Sequence, residues 1–145
     1  MKKLFNILLI LIITLFFSFF CGERDLPSKL IEIIYTVSGI LFSVGMGLVT
    51  TFNMGSVKNP IYRSEIKKSI TRVRNSFFFY FVFSTSTFIL NSIDIYLFLS
   101  MELINKYFNF SVFTLVTIII SIFYFVTNFT AIQSLNQEIE DLDLR

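Results

Sequence analysis

Four long apolar runs separated by short polar segments organise this chain. The first, Leu4 to Phe20, carries no charge and follows Met1-Lys2-Lys3. The second, Leu30 to Phe52, is interrupted only by Glu32 near its start. The third opens on Phe77-Phe78-Phe79-Tyr80-Phe81 and stays apolar or weakly polar through Ile93, and the fourth runs from Phe110 to Ala131 without a charge. A helix rises ~1.5 Å per residue, so about 20 residues cross a hydrocarbon core of ~30 Å. The pattern predicts an all-α integral membrane protein, a single membrane domain of four transmembrane helices over 4–20, 30–52, 77–93 and 110–131. It also predicts a basic cytoplasmic loop, 53–76, and an acidic cytoplasmic tail, 132–145. Pro27 and Pro60 fall between runs, where a missing amide donor breaks no helix. Beyond Asp94, the stretch Ile95 to Met101 either prolongs the third helix or lies along the interface.

Composition rules out an ordinary soluble domain. Of 145 residues, 54% are hydrophobic and 15% charged, with mean hydropathy +0.75; a soluble domain carries about 25% charged residues. Such a chain has too little polar surface to cover itself in water.

The first run has the form shared by a signal peptide and a first transmembrane helix. A lipoprotein cleavage site would place a small residue immediately before Cys21, and that position is Phe20. The run is therefore read as a retained anchor, with a cleaved lipoprotein as the alternative. Cys21 is the only cysteine, so it forms no internal disulfide.

Orientation follows from the cations. Lys2, Lys3, Lys58, Arg63, Lys67, Lys68, Arg72, Arg74 and Arg145 lie on one side of a four-span arrangement, and Arg24, Lys29 and Lys106 on the other. Nine against three places both termini and the central loop in the cytoplasm.

Catalytic chemistry finds little support. There is no histidine and a single cysteine, which leaves no transition-metal site, Cys–His or Ser–His–Asp arrangement or redox thiol pair, so no cofactor is expected. Gly39, Gly45 and Gly47 lie inside an apolar run and lack the strand-to-helix setting of a phosphate loop. Glu23, Asp25, Glu32, Asp94 and Glu102 gather on or near the outer face; together they could bind a cation, but the favoured reading is that acids are what remains outside once basic residues are kept inside.

Small and polar residues within the runs follow helical spacing. In the second, Gly39, Ser43, Gly47 and Thr51 recur every four residues, a small-xxx-small strip that lets another backbone approach closely. Ser38, Gly45 and Thr50 broaden it. In the fourth, Thr114, Thr117, Ser121, Tyr124, Asn128 and Ala131 form a seam of period 3.5, and Ser84, Thr87, Asn91 and Asp94 keep the same rhythm in the third. Two readings stay open: the stripes pack and hydrogen-bond inside a bundle, or some line a hydrated path in an oligomer. A homo-oligomer held by the second-helix strip is expected.

The segment Lys58 to Arg74 holds six basic residues, Lys58, Arg63, Lys67, Lys68, Arg72 and Arg74, against one acid, Glu65. With Ile66, Ile70 and Val73 it can form an amphipathic helix leading into the third span. Membrane lipids with anionic headgroups are its expected partner, and no aromatic interleaving or fold signature points to direct nucleic-acid binding. The tail is opposite in sign, with Glu138, Glu140, Asp141 and Asp143 opposed only by Arg145. Leu135, Ile139 and Leu142 carry helical spacing through it.

A charge-poor first span, a Ser/Gly-rich second, a basic cytoplasmic loop, two further spans and an acidic tail after Gln133-Ser134-Leu135-Asn136-Gln137-Glu138 together resemble the RexB-type phage-exclusion membrane proteins. That family is understood as ion-conducting membrane proteins that depolarise an infected bacterium when a cytoplasmic sensor triggers them. The resemblance implies an effector role in phage defence and a cytoplasmic protein partner, and it transfers no site residues. Two other expectations stand beside it: a holin-like lysis protein, and a non-conducting scaffold or assembly subunit of a membrane complex.

Overall fold

The computed structural model describes residues 2–21, 26–52, 57, 59–93 and 108–143, and among them the side chains of 8–19, 26–52, 57, 59–93 and 108–139. The described residues form helices α1 (Lys2–Cys21), α2 (Ser28–Thr51), α3 (Pro60–Ser92) and α4 (Phe110–Asp143). Cys21 ends α1; Glu23, Asp25, Lys58, the segment Asp94 to Met101 and Glu102 lie outside the described residues, as do the side chains of Glu140, Asp141 and Asp143.

Two asparagines set where the long helices begin. Asn59 caps α3, its Oδ1 accepting from the Ile61 amide at 2.9 Å, and Pro60 occupies the first helical position, where its missing donor is harmless. Asn109 caps α4 in the same way, accepting from the Val112 amide at 3.1 Å. Its own amide donates to Ser18 Oγ at 3.1 Å, which ties the start of α4 to the end of α1.

Side-chain pairs show how the helices run. Ser111 donates to Asn91 Oδ1 at 3.1 Å, and Phe125 meets Phe77 with ring centroids 5.1 Å apart, so α3 and α4 are antiparallel. Tyr35 stacks on Phe88 at 4.2 Å and Phe42 on Phe81 at 4.0 Å, which makes α2 and α3 antiparallel too. Ile10 packs with Val112 and Val116 while Ser18 reaches Asn109, so α1 also opposes α4. The bundle is up-down-up-down, and α4 packs against all three other helices.

The aromatic residues carry much of the packing. Phe77, Tyr80 and Phe125 form a buried cluster flanked by Phe42, Phe81 and Tyr124. Each such ring pair contributes ~0.5–1.5 kcal/mol beyond its buried area. A second cluster, Val49, Ile70 and Ile132, joins α2, α3 and α4 near the α2–α3 connection.

Apolar residues lie outside the bundle as well as inside it. Outward faces carry Leu11, Ile12, Leu15, Phe16 and Phe19 on α1, Ile33, Val37, Ile40 and Val44 on α2, and Phe78, Val82 and Ile89 on α3, with Phe19 82% exposed. The interior holds, beside its apolar clusters, the hydroxyls of Thr14, Ser18, Ser38, Ser84, Thr87, Ser111, Thr114, Thr117 and Ser121. Among the described residues, two helices are long and apolar enough to cross a membrane, α2 over its 24 residues and α4 over the 30 residues Phe110–Ile139; the apolar stretch Leu8–Phe19 of α1 is shorter. The basic segment after Asn59 belongs to α3, which continues without a break from polar residues into the phenylalanine run.

Candidate functional site

The inward side of α4 presents Thr114, Thr117 and Ser121, all fully buried. A mean spacing of 3.5 keeps these residues on one face of the helix. Thr114 donates to the Thr87 carbonyl of α3 at 3.4 Å, and Ser121 bonds back to the Thr117 carbonyl at 2.9 Å. Thr87 and Ser84 likewise bond to carbonyls of their own helix, those of Ser84 at 2.9 Å and Phe81 at 3.0 Å. A hydroxyl satisfied this way needs no neighbour, which is why serine and threonine can sit in such an interior.

The same register puts hydroxyls from three helices at one depth. The pairs Thr87–Thr114 and Phe77–Phe125 set Ser84 opposite Thr117, and the pairs Tyr35–Thr85 and Phe42–Phe81 set Ser38 opposite Ser84. Ser121 follows one turn along α4. Among the described residues, Ser38 Oγ and Thr117 Oγ1 are buried without a hydrogen-bond partner. An unbonded buried hydroxyl costs ~1–3 kcal/mol, so this layer is the least satisfied part of the interior.

Farther along α4 the seam opens. Tyr124 and Asn128 are half-buried; Tyr124 lies against the Tyr80 ring at 4.3 Å, and Asn128 Nδ2 donates to the Tyr124 carbonyl at 2.8 Å. The structure thus gathers Thr114, Thr117 and Ser121 with Ser38, Ser84 and Thr87, and leaves Tyr124 and Asn128 at the edge.

The strip of α2 lies elsewhere. Ser43, Gly47 and Thr51 are exposed and Gly39 is half-buried, with the Ser43 and Thr51 hydroxyls bonded back to the Gly39 and Gly47 carbonyls at 3.0 and 2.9 Å. A Cβ built on Gly39 or Gly47 would meet nothing within 4 Å. Close helix packing within the chain instead uses Gly45, where an added Cβ would overlap the Phe77 ring. Gly45 is therefore not an extension of the strip but part of the inner face with Ile31, Ser38 and Val49.

Arg63, Lys67, Lys68, Arg72 and Arg74 are all exposed along the polar half of α3. Glu138 is exposed on α4, and among the described residues no ion pair joins it to these cations. Several positioning residues were not singled out by the sequence pattern: Thr14 and Ser18 make a hydroxyl row on α1, Asn109 anchors α4, and Tyr35 Oη shares a hydrogen bond with Thr85 Oγ1 at 2.9 Å. The spacing of four between Ile10, Thr14 and Ser18 was the available signal. Comparison of the chain with protein-family models, with characterised proteins and with solved structures finds no match.

Proposed function

We propose that this chain is a multi-pass protein of a bacterial inner membrane, spanning it four times with both termini in the cytoplasm. It self-associates and changes membrane permeability as the effector of a phage-exclusion system, when a cytoplasmic partner triggers it. The observation that carries this reading is the hydroxyl layer of Ser38, Ser84 and Thr117 at one depth in the bundle, two of them unbonded, inside an apolar exterior. Polar groups at membrane depth are tolerated in protein interiors or in water-filled cavities, and hydroxyls without partners suit a path that water or an ion enters when helices part.

The test uses variants that keep shape and remove only hydroxyls. Thr117→Val and Ser38→Ala delete groups that bond to nothing, so the fold is expected to stay as stable as the parent or to gain ~1 kcal/mol. Depolarisation on phage challenge, read with a potential-sensitive dye, is expected to fall at least tenfold in the double variant. A double variant that depolarises like the parent would remove the seam from the conducting path. A parent that never depolarises the cell would leave the scaffold reading in its place.

A further inference from the structure

Cations and polar groups on α3 line a cavity that opens beside the apolar part of the same helix. Lys67, Lys68 and Arg72, with Ser64, Thr71, Asn75 and Ser76, border an open, shallow space of ≈ 670 Å³ along one face of α3. These residues form two adjacent rows of one helix face, Ser64–Lys68–Arg72 and Lys67–Thr71–Asn75, each stepping by four. No carboxylate lines the space, and among the described residues none pairs with its cations. Three cations with hydroxyl and amide donors between them match the oxygens of a phosphate, to which arginine bonds in bidentate fashion and lysine as a point charge.

A second cavity adjoins it. Met46, Arg74, Asn75 and Phe78 line ≈ 210 Å³, so Asn75 borders both spaces. Phe78 is exposed, and Val82, four residues on, is exposed on the same side of α3. Within one turn the surface passes from cationic to apolar. A free anion or a nucleic acid would use only the first part, whereas an amphiphile uses both.

We propose that this junction binds one anionic phospholipid, its phosphate among Lys67, Lys68 and Arg72 and an acyl chain along Met46, Phe78 and Val82. The inference rests on the membrane reading above and adds a discrete lipid site to the diffuse attraction of a basic segment for a leaflet.

Full-length protein extracted in detergent, with phosphatidylglycerol or phosphatidylethanolamine added, is examined by native mass spectrometry for retained lipid. One phosphatidylglycerol per chain is expected in preference to phosphatidylethanolamine. Lys68→Gln with Arg72→Gln lowers that preference about 25-fold, at about fivefold per cation, while Lys29→Gln with Arg63→Gln, which removes the same charge away from the cavity, leaves it intact. Phe78→Ala weakens phosphatidylglycerol retention without changing binding of glycerol phosphate. Equal retention of the two lipids, or equal loss in both double variants, overturns the site. Glycerol phosphate binding as tightly as the lipid makes it a soluble-anion site, and displacement by a peptide of residues 132–145 with no lipid preference makes it a protein-docking face; either outcome overturns the lipid assignment. A chain that stays soluble without detergent would instead refute the membrane reading itself.

Discussion

The ring of Phe77 occupies the space that a side chain on Gly45 would need. Phe77 is fully buried and also meets Phe125 at 5.1 Å and Tyr124 at 5.9 Å, so it has nowhere to retreat. Here α2 and α3 come together over a hydrogen atom, and the aromatic cluster on the α4 side is fixed by that approach.

Gly45→Ala is therefore expected to destabilise the bundle by ~1–3 kcal/mol, the usual cost of overpacking. Gly39→Ala and Gly47→Ala meet open space and replace a poor helix former, so each is expected to be neutral or to stabilise by ~0.5–1 kcal/mol. Unfolding in mixed micelles by denaturing detergent ranks the three. Equal loss for all of them would contradict the division of α2 into an inner and an outer face.

The outer strip makes the complementary prediction. Gly47→Leu is expected to leave unfolding unchanged while reducing crosslinked oligomer several-fold, because a large side chain holds apart backbones brought close by small-xxx-small steps. The same substitution at Ile40, also outward-facing but off the strip, should leave crosslinking as it was. Crosslinking that survives Gly47→Leu would move any self-association to another surface.

Topology can be read directly. Reporters fused after Asn59 and after Arg145 are expected to report cytoplasm, and one after Glu102 the exterior, from the nine-to-three cation asymmetry. An external signal at Asn59 would be incompatible with four spans entered from the cytoplasm.

Some of this architecture is legible in the chain and some is not. The spacing of Thr114, Thr117 and Ser121 marks residues that share one inward face, because a mean spacing of 3.5 keeps residues on one face of a helix. The helical continuation through 60–76 is legible in Ile66, Ile70 and Val73, which turn toward α2 and α4. The inner face of α2 is harder to read. Ile31, Ser38 and Gly45 step by seven and pack inward, whereas Ser43, Gly47 and Thr51 step by four and face out, with Gly39 half-buried at the head of that strip. Composition does not separate these faces, since where lipid replaces water an outward residue is as apolar as an inward one. Nor does sequence indicate that Asn75 borders two cavities, because the second depends on how Met46 of α2 meets α3.

The position of α4 has a consequence for assembly. It packs against α1, α2 and α3, and it is the last of the four helices to be synthesised. Under the four-span reading, α1 and the α2–α3 hairpin enter the bilayer before the helix that joins them exists. Thr14 tolerates that interval because its hydroxyl is already bonded to the Ile10 carbonyl at 2.8 Å, and Ser84 and Thr87 are self-satisfied in the same way. Ser18 is different: its partner, the Asn109 amide, arrives only with α4. A ribosome that stops short of α4 would leave three inserted helices with no common core, so arrival of the final helix is the step at which separate insertions become one protein.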